Sequence, residues 1–402
     1  MASINGTGRA DILSGTPLAD VIWGGSGDDR VSGRAGNDRL YGQAGGDRIY
    51  GGDGTDRIGG GFGDDRLFGD GGDDTIMGDG GRDYLWGGAG NDQLLGGDGN
   101  DLLNGNSGDD VLRGDAGDDV LDGGAGNDLV YGGPGLDRLQ GGAGIDTVSF
   151  AEETHGMYIN VCYQFAADGN PEEGPVHSEQ MIGFERIRGS AFDDTISIIM
   201  NSELDRVFTP FSLFGLDGDD FINGAQGSDE IEGNGGDDSL HGQVGDDRID
   251  GGLGDDYVEG DAGNDRLTGG AGHDVFGYAA IWAQDERMTG SDVITDFTPG
   301  QDRLTMVVYV EDQFDPEPAP GIYWQSRELF DILDSNDDGE VSGLDRFADD
   351  TVAGGVHALR IDFSGLMNAS LDDAHELKGT SVDDRLTLLG VDHLVVQDIW
   401  SR

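Results

Sequence analysis

Lysine occurs once in this chain of 402 residues, at position 378, and cysteine once, at position 162. A lone thiol excludes an intramolecular disulfide. The chain sets 23 Lys and Arg against 81 Asp and Glu, a formal net charge of −58, which is the wrong sign for a nucleic-acid surface. No apolar run approaches the roughly 20 residues that a membrane-spanning helix needs. The first residues, MASINGTGRAD, have neither a basic start nor an apolar stretch, so no cleaved secretory signal is expected. Catalytic signatures are missing too. His155, His177, His241, His273, His357, His375 and His393 are scattered, and H-E-x-x-H, G-x-S-x-G and G-x-x-x-x-G-K-[ST] do not occur.

What the chain has in excess is glycine, 76 residues, and the glycine is periodic. A nine-residue unit, G-x-x-G-x-D-x-(aliphatic)-x, runs without insertion or deletion from Gly6 to Ser149. Across its sixteen copies the first position is always Gly, the sixth always Asp and the eighth always Leu, Ile or Val. The fourth is Gly from Gly27 to Gly144, with Arg9 and Leu18 in the two irregular opening units. Strict spacing of this kind means that one small unit is stacked many times. The glycines three apart supply positions of positive φ or close backbone approach, and Asp28, Asn37, Asp64 and Asn91 just after the second glycine tolerate a similar geometry. The spacing therefore predicts a six-residue turn followed by a three-residue strand whose central side chain points inward. One aliphatic residue per unit cannot close a core alone. Two units must then form one turn of a coil, with successive turns joined by strand pairing: a parallel β-roll.

The Asp column raises an electrostatic problem. Residues eighteen apart, such as Asp29, Asp47 and Asp65, would lie on adjacent strands about 4.8 Å apart. Two carboxylates at that spacing repel by about 1 kcal/mol in water and about 3 to 4 kcal/mol at an effective dielectric near 20, once per turn. Marginal stability does not absorb such a penalty. A hard divalent cation between turns removes it, and carboxylates with turn carbonyls offer the all-oxygen shell that calcium takes, whereas magnesium demands stricter geometry. The candidate ligands in the first block are Asp29, Asp38, Asp47, Asp56, Asp65, Asp74, Asp83, Asp92, Asp101, Asp110, Asp119, Asp128, Asp137 and Asp146.

Units such as GGAGNDQLL (87–95), GGDGNDLLN (96–104) and GGAGNDLVY (123–131) resemble the nonapeptide of the repeats-in-toxin (RTX) family. The resemblance implies calcium-dependent folding and export from a Gram-negative cell through a type I channel. Such export uses an uncleaved C-terminal signal, to which the tail LVVQDIWSR is similar. Low cytosolic calcium would leave the chain unfolded, and extracellular calcium would fold it.

A second roll is expected after a connector at 150–188. Residues 189–197 form one degenerate unit, 198–214 an insertion, and seven regular units follow to Gly277, with Asp220, Asp229, Asp238, Asp247, Asp256, Asp265 and Asp274 at the sixth position. The fold class is thus all-β, with two parallel β-rolls (1–149 and 189–277), a roll-capping segment at 278–304 and a small mixed C-terminal domain at 305–402. DVITDFTPGQDRLTM (292–306) resembles the segment that closes RTX rolls; a cap is needed because open strand edges are a liability. In the C-terminal domain Asp334, Asn336, Asp338, Glu340 and Asp345 match an EF-hand loop with Gly339 at the turn, preceded by a short amphipathic helix over 326–333. Asp stands at position 345 where Glu is usual.

Outward ninth positions on one sheet stack Tyr50, Phe68 and Trp86, flanked by Arg48, Arg66 and Tyr84. Two readings apply: ladder pairs that support the sheet, or a platform for a polysaccharide or cell-surface partner. Asp-rich text is no argument for glycosidase chemistry when each Asp is spoken for by a cation. The functional expectation is a secreted calcium-binding protein with a structural, adhesion or surface-interaction role and no enzymatic activity. The alternative is a secreted effector, hydrolase or toxin-like, with a site in 305–402.

Overall fold

Why these residues form strands is visible in the burial along each unit. The side chains of Arg48–Asp53 read exposed, buried, half-buried, buried, half-buried, exposed, and the same alternation recurs in Arg66–Gly71 and Leu102–Ser107 with small changes at the outer positions. From Ile22 to Val148 every eighth-position aliphatic is at most 1% exposed. Each such side chain contributes about 1.5–3 kcal/mol by leaving water. The structure, a computed structural model, describes residues 2–160, 165–168, 177–198, 210–282, 291–298 and 301–310. It also describes the strands Glu340–Ser342, Ala348–Ala353, Val356–Asp362, Arg385–Leu389 and His393–Val395. Among the described residues every regular element is a β-strand.

Two compact units divide at 191/192. In the first, units alternate between two parallel sheets, and each strand pairs with the one eighteen residues on: Arg48↔Arg66, Ile49↔Leu67, Tyr50↔Phe68 on one sheet, Arg39↔Arg57 and Leu40↔Ile58 on the other. Two nonapeptides therefore make one turn of a parallel β-roll. The expected six-residue turn is corrected. Most strands in this unit are six residues long, such as Arg30–Ala35, because pairing resumes after the first-position glycine, with Gly52↔Asp70 and Asp53↔Gly71. Leu129–Tyr131 stays at three residues, and Pro134, which has no N–H to donate, occupies the third position of the following unit. Beyond residue 150 the ladder continues out of phase: Arg138 pairs with Gln180 and Thr147 with Arg186.

The second unit repeats the design. Thr195–Ser197 pairs with Phe221–Asn223 across the insertion, and Ser212–Asp217, Glu230–Gly235, Arg248–Leu253 and Arg266–Ala271 follow in register on the other sheet. Ser291–Ile294 and Arg303–Val310 add further parallel rungs, Arg266↔Val293 and Val275↔Arg303, and Arg385–Leu389 pairs with Ser291–Ile294. Of the EF-hand candidates, Glu340 opens a strand that pairs with His393–Val395; Asp334, Asn336, Asp338 and Asp345, the helix expected at 326–333, and residues 396–402 lie outside the described residues.

Candidate metal centre

The sixth-position Asp of each unit sits where the turn enters the next strand, and its side chain points into the roll. Its two oxygens have different surroundings. Oδ1 accepts the amide N–H of the Asp eighteen residues earlier: Asp29 N–H donates to Asp47 Oδ1 at 2.7 Å, Asp47 to Asp65 at 2.6 Å, and Asp238 to Asp256 at 2.9 Å. Oδ2 is buried and has no hydrogen-bond partner in twenty of the twenty-one repeat aspartates predicted as ligands. The exception is Asp229, whose Oδ2 accepts the Ala225 amide at 2.8 Å. In the two opening units the same oxygen is satisfied by threonine. Thr7 and Thr16 each donate both amide and hydroxyl to Asp11 and Asp20, at 2.6–2.8 Å.

Buried polar atoms are normally paired, so a column of orphaned carboxylate oxygens calls for a positive partner. The first-position glycine shows where that partner fits. A Cβ on Gly42 would lie 2.1 Å from Asp47 Oδ2 and 2.6 Å from the Gly60 carbonyl oxygen, and a Cβ on Gly51 would lie 2.4 Å from Asp56 Oδ2 and 2.7 Å from the Gly69 carbonyl. Carboxylate and carbonyl from two turns thus face one point beside a backbone that has no side chain. The first glycine is invariant for close approach, not for positive φ. Positive φ falls at the second and fourth positions, as in Gly52 (108°) and Gly54 (142°), and at the second it is tolerated by Arg34, Asp70 and Asn106. No three His, Cys, Asp or Glu side chains converge anywhere among the described residues. The atoms that face the point are a carboxylate oxygen and a main-chain carbonyl oxygen, donors that suit a hard cation such as calcium.

Burial sets the charge state of the column. It pushes the carboxyls of Asp47, Asp56 and Asp92 up to about 6, those of Asp74, Asp83 and Asp110 to about 7, and those of Asp65, Asp220 and Asp247 to about 8. The amide donated from the preceding turn opposes the shift, and for Asp65 the neighbouring carboxylates of Asp83 and Asp47 add to it. At the exposed end the amides of Ala2 and Thr16 hold Asp20 below the ordinary range.

Four acids outside the regular phase join the column. Glu185 Oε2 accepts from the Asp146 amide at 3.0 Å, Asp292 Oδ1 from Asp265 at 3.0 Å and Asp302 Oδ1 from Asp274 at 3.2 Å, while the Asp194 amide donates to Asp220 at 2.7 Å. The signal was present in acid-x-aliphatic (Glu185-Arg186-Ile187, Asp194-Thr195-Ile196, Asp292-Val293-Ile294, Asp302-Arg303-Leu304), but register 26 to 39 residues away hid it. The fifth position is also corrected. None of Asp28, Asn37, Asp64 and Asn91 has positive φ. Instead their Oδ1 atoms accept the amide of the following turn, Asp28 from Gly46 at 3.1 Å and Asn91 from Asp109 at 2.9 Å.

On the outer face Tyr50, Phe68 and Trp86 stack with centroids 4.8 and 4.5 Å apart and planes within 7°. Arg66 lies 5.3 Å over Tyr84, which stacks on Trp86 at 6.1 Å, and Arg48 is exposed. The ring faces inside this ladder cover one another, the geometry of sheet support. In the second unit His241 Nε2 is 3.3 Å from Ser239 Oγ and Nδ1 is 3.6 Å from Glu259 Oε2, to which Tyr257 donates at 2.7 Å. Phe221 and Tyr257 pack against the imidazole, and burial lowers its pKa against the opposing pull of Glu259, so His241 belongs to a packed polar cluster.

Comparison with known proteins agrees with this geometry. No curated protein matches the chain. Among solved structures, the extracellular lipase LipA from Serratia marcescens aligns over 80% of this chain at 15% identity, with a TM-score of 0.18. The chain spans 40% of that lipase, and so low a score carries no argument. Nine overlapping matches to the RTX calcium-binding nonapeptide repeat cover residues 5–149 and 214–276, more than half of the chain. With its two-unit coil, invariant Asp column and aliphatic core in place, this chain belongs to the RTX calcium-binding nonapeptide repeat family.

Proposed function

We propose that this is a secreted calcium-binding repeat protein that folds on extracellular calcium and serves as a structural, adhesion or surface-interaction module. The observation that carries the reading is the column of twenty buried Asp Oδ2 atoms without a partner. Calcium held between turns would supply the positive charge that the column lacks. Asp47 Oδ2 with the Gly60 carbonyl, and the equivalent pair at each turn, would hold it. The chain's own residues do the rest: the amide-to-Oδ1 bonds orient each carboxylate, and the aliphatic eighth positions close the core once the carboxylates no longer repel. Export through a type I apparatus, with the signal in the tail, fits a chain that stays unfolded at low calcium.

The test is a calcium titration of the full chain followed by far-ultraviolet circular dichroism and radius of gyration. The expected result is a cooperative compaction to β structure that chelator reverses and equal magnesium does not produce. A compact roll in metal-free buffer at neutral pH would overturn the reading.

A further inference from the structure

Whether the Oδ2 of a sixth-position Asp is orphaned or satisfied follows one backbone angle. In all twenty units whose Oδ2 has no partner, the second-position residue, four before the Asp, has positive φ. Ten of these residues are glycines and ten are not, among them Arg34 (85°), Gln43 (83°), Asp70 (73°) and Leu216 (92°). Thr7, Thr16, Ala225 and Thr298 hold the same position without positive φ. Each donates its amide to Oδ2 four residues on: Thr7 to Asp11 at 2.6 Å, Thr16 to Asp20 at 2.6 Å, Ala225 to Asp229 at 2.8 Å and Thr298 to Asp302 at 2.7 Å. The carboxylate shifts with the amide. Measured from the point where a Cβ would stand on the first-position glycine, Oδ2 is 3.1 Å away at Gly6, 3.0 Å at Gly15 and 3.0 Å at Gly224, against 2.0 to 2.8 Å in the twenty open units. In the unit of Asp302 the first position is not glycine at all but the buried Phe297.

The open arrangement is unfavourable twice over. A side chain at positive φ costs about 1–2 kcal/mol, and turning the amide away leaves a buried carboxylate oxygen without a donor. Ten non-glycine residues accept both costs, and they are all the non-glycine residues of positive φ among those described. Strain repeated at one position of a repeat points to function, and a positive charge at Oδ2 offsets it. The closed arrangement needs no such charge, because the chain supplies the donor itself. Residue type biases the choice. None of the ten is β-branched, as expected of side chains that crowd the backbone at positive φ. Threonine has a further effect: its hydroxyl gives the same oxygen a second donor, at 2.7 Å in Asp11 and 2.8 Å in Asp20.

We propose that the second position of each unit decides whether its Asp is a calcium ligand: positive φ opens Oδ2 to the ion, and the closed turns at Asp11, Asp20, Asp229 and Asp302 put a backbone amide in the ion's place. Asp229 thereby leaves the set of ligands expected from the sequence. Thr7 and Thr16, before the first open unit, and Thr298, after the last, end the run of sites. The proposal rests on the calcium reading of the column. Native mass spectrometry of the full chain in saturating calcium counts the bound ions, and circular dichroism checks that each variant is folded. Asp238→Asn, in an open unit, is expected to bind one ion fewer than the parent, and Asp229→Asn as many as the parent. Gln43 is exposed and already at a φ of 83°, so its replacement leaves the core untouched. Gln43→Thr is expected to close its turn and lose one ion; Gln43→Asn, a residue that adopts 76° at Asn234, is expected to lose none. The proposal is overturned if Asp229→Asn and Asp238→Asn give the same count, if folded Gln43→Thr keeps the parent's count, or if Gln43→Asn loses as many ions as Gln43→Thr. Should Gln43→Thr lose the calcium-loaded spectrum, the two Asp variants decide. A parent that binds no calcium reports failure of the calcium reading instead.

Discussion

The amide of Asp47 donates to Oδ1 of Asp65 at 2.6 Å, while Oδ2 of Asp65, buried in the same turn, accepts nothing. One carboxylate therefore differs at its two oxygens: one is bonded to the neighbouring turn, and the other is the atom that the proposed calcium would meet. Asp65→Asn keeps an acceptor for the Asp47 amide and removes the charge. The calcium concentration at half-folding is expected to rise about threefold or more, read by circular dichroism, with little change in the fully loaded spectrum.

Gly51 and Gly52 are neighbours with different constraints. Gly51→Ala would press a methyl against Asp56 Oδ2 and the Gly69 carbonyl, and is expected to destabilise the loaded roll by about 1–3 kcal/mol. Gly52→Asn meets two constraints at once, a φ of 108° where Asp70 and Asn106 adopt 73° and 71°, and a Cβ that would stand 1.9 Å from the Arg34 carbonyl oxygen, and is expected to cost at least as much. Thermal unfolding in saturating calcium compares the two.

In the metal-free roll, carboxyls such as Asp65, Asp83 and Asp56 titrate at about 8, 7 and 6, above the ordinary 3.8. A raised folded-state value means that the folded form binds more protons between pH 4 and 8, so metal-free stability falls as pH rises through that window. Cation binding runs the other way, because the ligand must be the carboxylate. Lowering pH from 8 to 5 should therefore move the calcium midpoint to higher concentration while residual β structure in chelator increases. A calcium midpoint that does not move over this range would show that these carboxyls take no part.

Off-phase acids should behave as members of the column. Asp292→Asn and Glu185→Gln are expected to raise the calcium midpoint about as much as Asp65→Asn does, although neither lies in a regular nonapeptide. An exposed carboxylate such as Asp98→Asn is expected to leave it unchanged.

Leu85 is fully buried between turns that stack on both sides. Leu85→Ala is expected to lose about 2–5 kcal/mol, measured by denaturant unfolding in calcium. Because a roll transmits stability only between neighbouring turns, limited proteolysis should find the new weak point near residue 85.

Much of the fold was legible as spacing. A glycine every ninth residue with an aliphatic at the eighth position specifies the two-unit coil and its core, and an Asp at every sixth specifies a like-charge column. These follow from the period of the chain alone, because in a roll sequence separation becomes spatial separation by one fixed rule. The pairing Tyr50↔Phe68↔Trp86 obeys it.

Tertiary structure decided what that rule does not cover. It brought Glu185, Asp194, Asp292 and Asp302 into the column across insertions of varying length, and only strand pairing reveals register across an insertion. It turned fifth- and sixth-position side chains into hydrogen bonds running in opposite directions along the axis. It also assigned the first glycine to a cradle for Asp Oδ2, since a requirement for empty space next to an atom of the neighbouring turn leaves no mark in sequence beyond an invariant glycine.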